Sequence, residues 1–578
     1  MKLREALEVI GEPRASDLPL RRYFLGCSTT PASLESLLQA YLLKAAPDAR
    51  AELATGLYGD LLGSLERLDP ADTAGAAVIC EWFDLDPRLG FRRLGGWSPS
   101  HFEDILKTAE GSAVRLRASL ERVAGSVPVA LCLPTLPLPP MGITVPGQAS
   151  AFELELRRLA LELEVWAAAQ PRMRVVNQSQ LDRISPPATR FQLKAEISHG
   201  APYSRTHADA LAELFSRLLV PPAPLKGLIT DLDDTLWIGI LGEVGPENIA
   251  YTLERHALSH GLYQQFIASL AERGTLVAIA SKNDPAIVAA ALARPDMAVT
   301  ADTFFPIETR WGPKSESVAR ILKAWNIGPD TVAFIDDSPI ELEEVARRFP
   351  QMRTQLFPKD DAGAVLELLV TLREWFGKPV IREEDRIRAR SLSQAAQTDF
   401  TGGGDDFLQS LDATLTIELS NDTGGERAFE LINKTNQFNL NGRRLTEADW
   451  TRSLGSPGGF LLTVSYTDKF GPLGKIAVAV GRNTSSGVRL QSWVMSCRAF
   501  SRRIEHATLR TLFEHFGAPA IELDFKATER NGPLQELLTS LELNAAPWRL
   551  TRERFDELCP ALPQRIAVNS AALSGGLR

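Results

Sequence analysis

From Arg22 to about Val220, short apolar runs alternate with helical patterns: YFLGCST, SLESLLQAYLLKA, AAVICEWFDLD, VPVALCLP, then FELELRRLALELEVWAAA. Strand-length runs separated by amphipathic stretches predict a parallel sheet flanked by helices. Five prolines in LPTLPLPPMGITVPG, which ends at Gly147, exclude ladder pairing there and predict a long surface loop. Pro221, Pro222 and Pro224 then break the pattern and place a boundary near residue 222. A second α/β pattern follows, with strands predicted at Leu225–Thr230, Thr275–Ala280 and Thr331–Ile335, and it ends near Pro379. The charged segment REEDRIRARSLSQAAQ and the glycine run TGGGDD predict a helical linker and hinge over 381–406. Beyond it, FLLTVSY, KIAVAVG and VRLQSWVM mix with the helical GERAFELINK and RIEHATLRTLFEHF, the order of a compact α+β domain over 407–565. AVNSAALSGGLR closes the chain, and 566–578 is predicted to be a flexible tail. The fold class is therefore α/β with three domains, at 1–221, 222–380 and 407–565.

Composition narrows this picture. The 578 residues call for three to four domains at ~150 residues each, and 44% apolar with 23% charged residues is ordinary for globular chains. A net charge of −9 without a Lys/Arg stripe argues against nucleic acid as a partner. Cys27, Cys80, Cys132, Cys497 and Cys559 lie far apart, with no C-x-x-C pair, as expected of thiols kept reduced. No run reaches the ~20 apolar residues of a membrane span, and the acidic MKLREALEVIGEPR does not fit a signal peptide. The expectation is a cytoplasmic protein that engages no membrane.

The central domain carries the clearest chemistry. Its first strand delivers DLDDTLW at the carboxyl end, where open α/β sheets keep their ligand sites, so Asp231 and Asp233 stand at the sheet mouth. Two close carboxylates divide labour: one stays charged as nucleophile or metal ligand while the other holds a proton as general acid. Later strand ends bring Ser281, Lys314 in WGPKSESV, and Asp336-Asp337 in that order. This ordered set resembles the haloacid dehalogenase (HAD) superfamily of aspartyl-phosphate enzymes. The resemblance implies a doubly wound Rossmann-like sheet with Asp231 as nucleophile and Asp233 as acid/base. It further implies Ser281 and Lys314 as phosphoryl-binding groups, and a Mg²⁺ held by Asp231, the main-chain carbonyl of Asp233 and Asp336, with Asp337 in support. Thr235 reads as a turn-stabilising hydroxyl. The 46 positions from Thr235 to Ser281 and the 33 from Ser281 to Lys314 are consumed largely by crossover helices, which leaves no room for a large cap.

KGLITDLDDTLWIGILGEVGPENI, SKNDP, WGPKSESVARIL and FIDDSPIELEEV, with INKTNQFNLNGRR, SYTDKFGPLG and WVMSCRAFSRRIEHA, resemble the FkbH-like family, a HAD domain followed by a GNAT-like acyltransferase domain. The likeness covers about 220–545. It implies an enzyme that takes a small phosphorylated acyl substrate, such as 1,3-bisphosphoglycerate, removes phosphate and passes a glyceryl-type unit to an acyl carrier protein in polyketide or related metabolism. Glyceryl-loading relatives carry a cysteine directly after the lysine that opens the first strand, whereas this chain has Gly227 after Lys226. Cys497, followed by Arg498, Arg502 and Arg503, is either a replacement thiolate or a small buried strand-end residue. Asn436, Gln437, Asn439, Arg443 and Arg444 either bind a phosphate or phosphopantetheine, or cap a helix end in solvent. Rival functions are a small-molecule phosphatase with an acyl-CoA-dependent N-acyltransferase domain, and a non-catalytic interaction protein.

In the first domain, LGCSTT and SRTHADALAEL resemble the Ser and His blocks of SGNH-type hydrolases, implying Ser28 as nucleophile and His207 as base. The family's aspartate three positions before the histidine is Ser204 here, so the reading is a degenerate hydrolase fold kept for docking. EWFDLDPRLGFRRLGGW, with Asp84, Asp86, Arg88, Arg92 and Trp97, either lines a pocket or forms a surface turn.

Overall fold

The computed structural model describes residues 1–378, 408–409, 411–422, 425–435, 438–469, 471–496, 502–528 and 531–570. The chain divides into two compact units, Met1–Pro222 with Leu445–Arg452, and Ala223–Arg444 with Ser453–Arg578. The predicted linker at 381–406 lies outside the described residues.

The first unit is built on β1 (Leu20–Gly26), β2 (Arg50–Thr55), β3 (Gly75–Ile79), β4 (Val129–Cys132) and β5 (Met173–Val175). They form a parallel sheet in the order β2-β1-β3-β4-β5. GAAVI and VALC are buried throughout, because helices cover both faces and no position along these strands meets water. Alternation then sorts the side chains. Leu25 and Ala77 pack with Leu34 and Leu38 of helix Ala32–Ala45 and with Leu211 and Phe215 of helix Arg205–Leu219. Phe24 and Val78 pack instead with Ile105 and Leu116 of helix Phe102–Ala124 and with Leu156 of helix Ala151–Ala168. The proline-rich stretch forms no strand and is exposed over residues 143–147, as a surface loop would be, while its Leu136 and Met141 are buried. The Glu81 carboxylate accepts from the Thr135 and Leu136 amides, which supplies the partners that prolines deny a ladder. Glu447, from the returning Leu445–Arg452 segment, lies 3.1 Å from Arg172 and 3.4 Å from Arg174.

The second unit carries two sheets. One comprises β6 (Gly227–Thr230), β7 (Leu276–Ser281), β8 (Ile307–Thr309), β9 (Val332–Asp336) and β10 (Arg353–Leu356), all parallel, in the order β10-β9-β6-β7-β8. Leu228 faces Tyr263, Ile267 and Leu372, while Ile229 faces Val318, Ile321 and Trp325. The other is mixed and contains β11 (Thr414–Ser420), β12 (Phe438–Asn439), β13 (Gly459–Asp468), β14 (Gly471–Thr484), β15 (Gly487–Met495), β16 (Ala520–Leu523), β17 (Arg549–Thr551) and β18 (Arg565–Ser570). Long antiparallel pairings join β11 to β13, β13 to β14 and β14 to β15 over a core that includes Phe460, Trp493 and Phe513. The expectation of a flexible tail from 566 is corrected here, since Arg565–Ser570 pairs in parallel with β11. An open strand edge at β11 offers backbone partners that local composition does not reveal. Among the described residues, no helix is long and apolar enough to cross a membrane.

Gly227 has a packing reason that the sequence does not disclose. A Cβ built there would lie 2.4 Å from Cζ3 of the fully buried Trp325, whose indole nitrogen donates to the Phe305 carbonyl at 2.6 Å. The volume a cysteine would need at this position is therefore filled by an indole ring held by its own hydrogen bond. Gly227→Ala is expected to lower unfolding stability by about 1–3 kcal/mol through overpacking, measured by urea denaturation; an unchanged midpoint and slope would show that the ring yields freely.

Candidate active site

Register builds this site. Thr230 aligns with Ile279 on β7 and Ile335 on β9, so the next residues, Asp231 and Asp336, leave adjacent strand ends together, with Ser281 closing β7 alongside. The Asp231 amide donates to the Ile335 carbonyl at 3.0 Å and fixes that alignment. Lys314 opens helix Lys314–Trp325 and sends a buried ammonium between the two carboxylates, 2.9 Å from Asp231 Oδ2 and 2.5 Å from Asp336 Oδ2. Asp231 Oδ1 is buried and has no hydrogen-bond partner among the described residues. Asp233, one turn further on, accepts at Oδ1 from the Trp237 indole at 3.2 Å and the Leu241 amide at 3.1 Å. Its Oδ2 accepts from Asn283 Nδ2 at 3.0 Å, and the same amide reaches Ser281 Oγ at 3.1 Å.

The structure thus brings Asp231, Asp336 and Lys314 into direct contact and ties Asp233 to Ser281 through Asn283. Asn283 was not singled out from the sequence, although its place two residues after Ser281 in SKNDP is the signal that would have found it. Lys359 was also missed: its ammonium lies 2.8 Å from Asp234 and 2.9 Å from Asp337, and nothing nearby in sequence marks it. Asp234, held at φ +53° with its Oδ1 on the Gly239 amide, keeps its carboxyl below the ordinary range: burial, the largest single influence, works upward, and the Lys359 and Gly239 hydrogen bonds with the nearby positive charge together outweigh it. Thr235 is fully buried, with its hydroxyl 3.5 Å from Asp337 Oδ1.

Charge decides what this arrangement can hold. Asp231 and Asp336 face one ammonium, so when both are ionised the buried cluster keeps a negative charge, while Asp337 shares Lys359 with Asp234. Burial pushes the Asp231 carboxyl up against the pull of Lys314. Burial and then the Asp231 charge push Asp336 up to about 7. One oxygen each from Asp231, Asp336 and Asp337 lie within 4.8 Å of one another. An all-oxygen, partly unpaired anionic set of this kind fits a hard divalent cation such as Mg²⁺, and Asp337 supplies a carboxylate to the same group.

Other predicted residues fall elsewhere or on different partners. Ser28 donates to Asp84 Oδ1, not to His207. His207 is wholly buried, with Nδ1 3.1 Å from Ser185 Oγ and Nε2 2.9 Å from Thr135 Oγ1. Thr135 Oγ1 in turn donates to Glu81 Oε1 at 2.7 Å, so Ser185, His207, Thr135 and Glu81 form one buried polar chain. Burial holds His207 down to about 3, a neutral ring at ordinary pH. Asn439 spends its amide on the Thr435 carbonyl and its oxygen on the Gly442 and Asn441 amides, organising its own turn. Arg443 is exposed and Arg444 half-buried. Cys497, Asn436 and Gln437 lie outside the described residues. The four described cysteines are all raised by burial, Cys27 to about 11.

No family model matches the chain, and no curated protein matches it. Among solved structures, the N-terminal part of BF1531 from Bacteroides fragilis, containing a phosphatase domain complexed with Mg, is similar. It is 20% identical, covering 66% of this chain and all of that one at a TM-score of 0.54. The lipase Lip_vut3 from a goat rumen metagenome covers 34% of this chain and 95% of its own, at 11% identity and a TM-score of 0.24. The first likeness shows a shared mixed α/β fold with that phosphatase-domain protein.

Asp84 gives this subsection its measurable consequence. Burial, countered by the Ser28 hydroxyl, raises its carboxyl from 3.8 to about 7, so the folded state holds a proton that the unfolded chain releases. Its contribution to stability is present below about pH 4 and is lost as pH rises toward 7. The difference in melting temperature between Asp84→Asn and wild type is expected to move in favour of the variant from pH 4 to 7. A difference independent of pH would contradict the assignment.

Proposed function

We propose that this chain is a Mg²⁺-dependent HAD-type phosphatase. The observation that carries the reading is Lys314 clamped between buried Asp231 and Asp336, with one Asp231 oxygen left uncommitted. Asp231 attacks the phosphoryl phosphorus, forming an O–P bond as the bond to the leaving oxygen breaks. Asp233 gives that oxygen a proton, then takes one from the water that cleaves the aspartyl phosphate and releases inorganic phosphate. Its two oxygens are aimed by Trp237, Leu241 and Asn283, which fix the carboxyl one loop away from the nucleophile. Ser281 and Lys314 bind the phosphoryl oxygens. Asp231 and Asp336, with Asp337 beside them, would hold a Mg²⁺, which when bound would supply positive charge to the transferring phosphoryl group.

The fuller form of the proposal adds acyl transfer: a small phosphorylated acyl substrate loses phosphate, and its acyl unit passes to an acyl carrier protein through the GNAT-like region. The sequence strings of residues 407–545 support this half. The packing of Trp325 against Gly227 argues against a thioester at position 227, so any covalent acyl stage falls to another nucleophile, with Cys497 proposed. The same packing favours a second reading, a small-molecule phosphatase whose acyltransferase region uses acyl-CoA and an amine without a thioester on the enzyme.

Hydrolysis of an aryl phosphate is expected to require Mg²⁺, to stop on chelation and to vanish in Asp231→Asn. Asp233→Asn is expected to lose ~10²–10⁴-fold, the worth of acid–base help alone. Steady-state assays check both, and near-wild-type turnover in Asp231→Asn overturns the mechanism. A mass shift on a co-incubated carrier protein selects the first reading, and acylation of an amine from acyl-CoA with no shift on the carrier protein selects the second.

A further inference from the structure

Among the described residues of 223–378, the two most exposed large apolar side chains are Trp311, at 80%, and Ile340, at 79%. Both stand on loops that deliver the phosphoryl site. Thr309, the last residue of β8, is level with Ser281, and the next amide, that of Arg310, donates to the Ser281 carbonyl at 3.1 Å. Trp311 follows at once, three residues before Lys314. At the end of β9, the Ser338 amide donates to Asp336 Oδ1 at 2.9 Å, and Ile340 is the second residue of helix Pro339–Arg348. Lys282, directly after Ser281, lies 2.6 Å from Glu341 and ties the end of β7 to the start of that helix. The loop that follows β6 adds two more exposed side chains: Ile238 and Ile240 flank Gly239, whose amide donates to Asp234 Oδ1.

Apolar side chains scattered singly over a surface need no reason, but four on the loops of one site do. The stereochemistry of phosphoryl transfer says what meets them. Displacement at phosphorus runs in line, so the leaving oxygen departs on the side opposite Asp231. Asp231 is buried at its strand end, and the departing group therefore points outward, across the loops that carry these side chains. Charge says what kind of group it is. Lys282 is engaged by Glu341, Lys359 is shared between Asp234 and Asp337, and Arg310 stands 3.6 Å from Glu308. A leaving group with a second phosphate finds these cations already paired, whereas an alkyl chain or a ring takes indole and isoleucine surface out of water.

We propose that Trp311 and Ile340 set the substrate specificity of this site, selecting a phosphate ester or acyl phosphate whose leaving group carries an apolar chain or ring. The inference rests on the phosphatase reading of Asp231 and names the substrate class for it.

The test compares kcat/KM of the full chain, with Mg²⁺ present, for hexanoyl phosphate and acetyl phosphate. Their leaving carboxylates are nearly equal in basicity, so the pair differs in chain length and not in intrinsic reactivity. Four extra methylenes, about half covered on an open rim, are expected to favour hexanoyl phosphate about tenfold. Trp311→Ala and Ile340→Ser are each expected to cut that preference several-fold, chiefly by raising KM for hexanoyl phosphate, and the double variant to remove most of it. Both side chains face solvent, so neither substitution opens a cavity in the core. Equal kcat/KM for the two compounds, or a hexanoyl preference that survives intact in the double variant, overturns the specificity proposal while leaving the phosphatase reading in place. Failure of Mg²⁺- and Asp231-dependent hydrolysis with both compounds overturns the phosphatase reading, and the specificity proposal falls with it.

Discussion

A single buried ammonium organises the candidate active site. Lys314 sits between Asp231 and Asp336 and neutralises only one of them, so the strand ends of β6 and β9 hold two carboxylates against their mutual repulsion with an incomplete counter-charge. Burial raises the cost of that shortfall, which is why both carboxyls are pushed above their ordinary range. A site left short of positive charge can be relieved by a proton, and its oxygen set fits a divalent cation. Each surrounding feature serves this arrangement. Register brings the aspartates level, the Asp231 amide bonds to Ile335, and Asp337 shares the Lys359 ammonium with Asp234.

Asp233 is arranged on a different principle. It is aimed by neutral donors, an indole, an amide and the Asn283 side chain, and among the described residues no salt bridge holds it. Neutral donors hold the two carboxyl oxygens in fixed directions, the orientation the proposed proton transfers require. The contrast between a charge-clamped Asp231 and a dipole-oriented Asp233 is the physical basis for assigning them different work.

Much of the parallel architecture was legible because buried strands in α/β folds read as unbroken apolar runs. LVAIA, TVAFI and AAVIC lie within or beside β7, β9 and β3, and the polar residue that follows each run stands at the sheet mouth. Short or solvent-facing strands were not legible: β8 is three residues long, β10 reads RTQL, and β18 lies where composition indicated a tail. Side-chain pairing across long sequence distances was equally hidden. Ser28 and His207 fit a hydrolase order along the chain, yet Ser28 turns to Asp84 while His207 is consumed by Ser185 and Thr135. Gly227 likewise looked like the loss of a thiol, and its reason is the Trp325 ring, nearly a hundred positions away.

The central claim is that Asp231 carries the phosphoryl group. Rapid acid quench of the Mg²⁺-loaded protein with an acyl or aryl phosphate, followed by peptide mapping, tests this directly. The account predicts a transient, base-labile phosphate on the peptide containing Asp231, formed and lost within single turnovers. Phosphate on another residue, or turnover with no phosphorylated intermediate under conditions that trap an acyl phosphate added as a control, would contradict it.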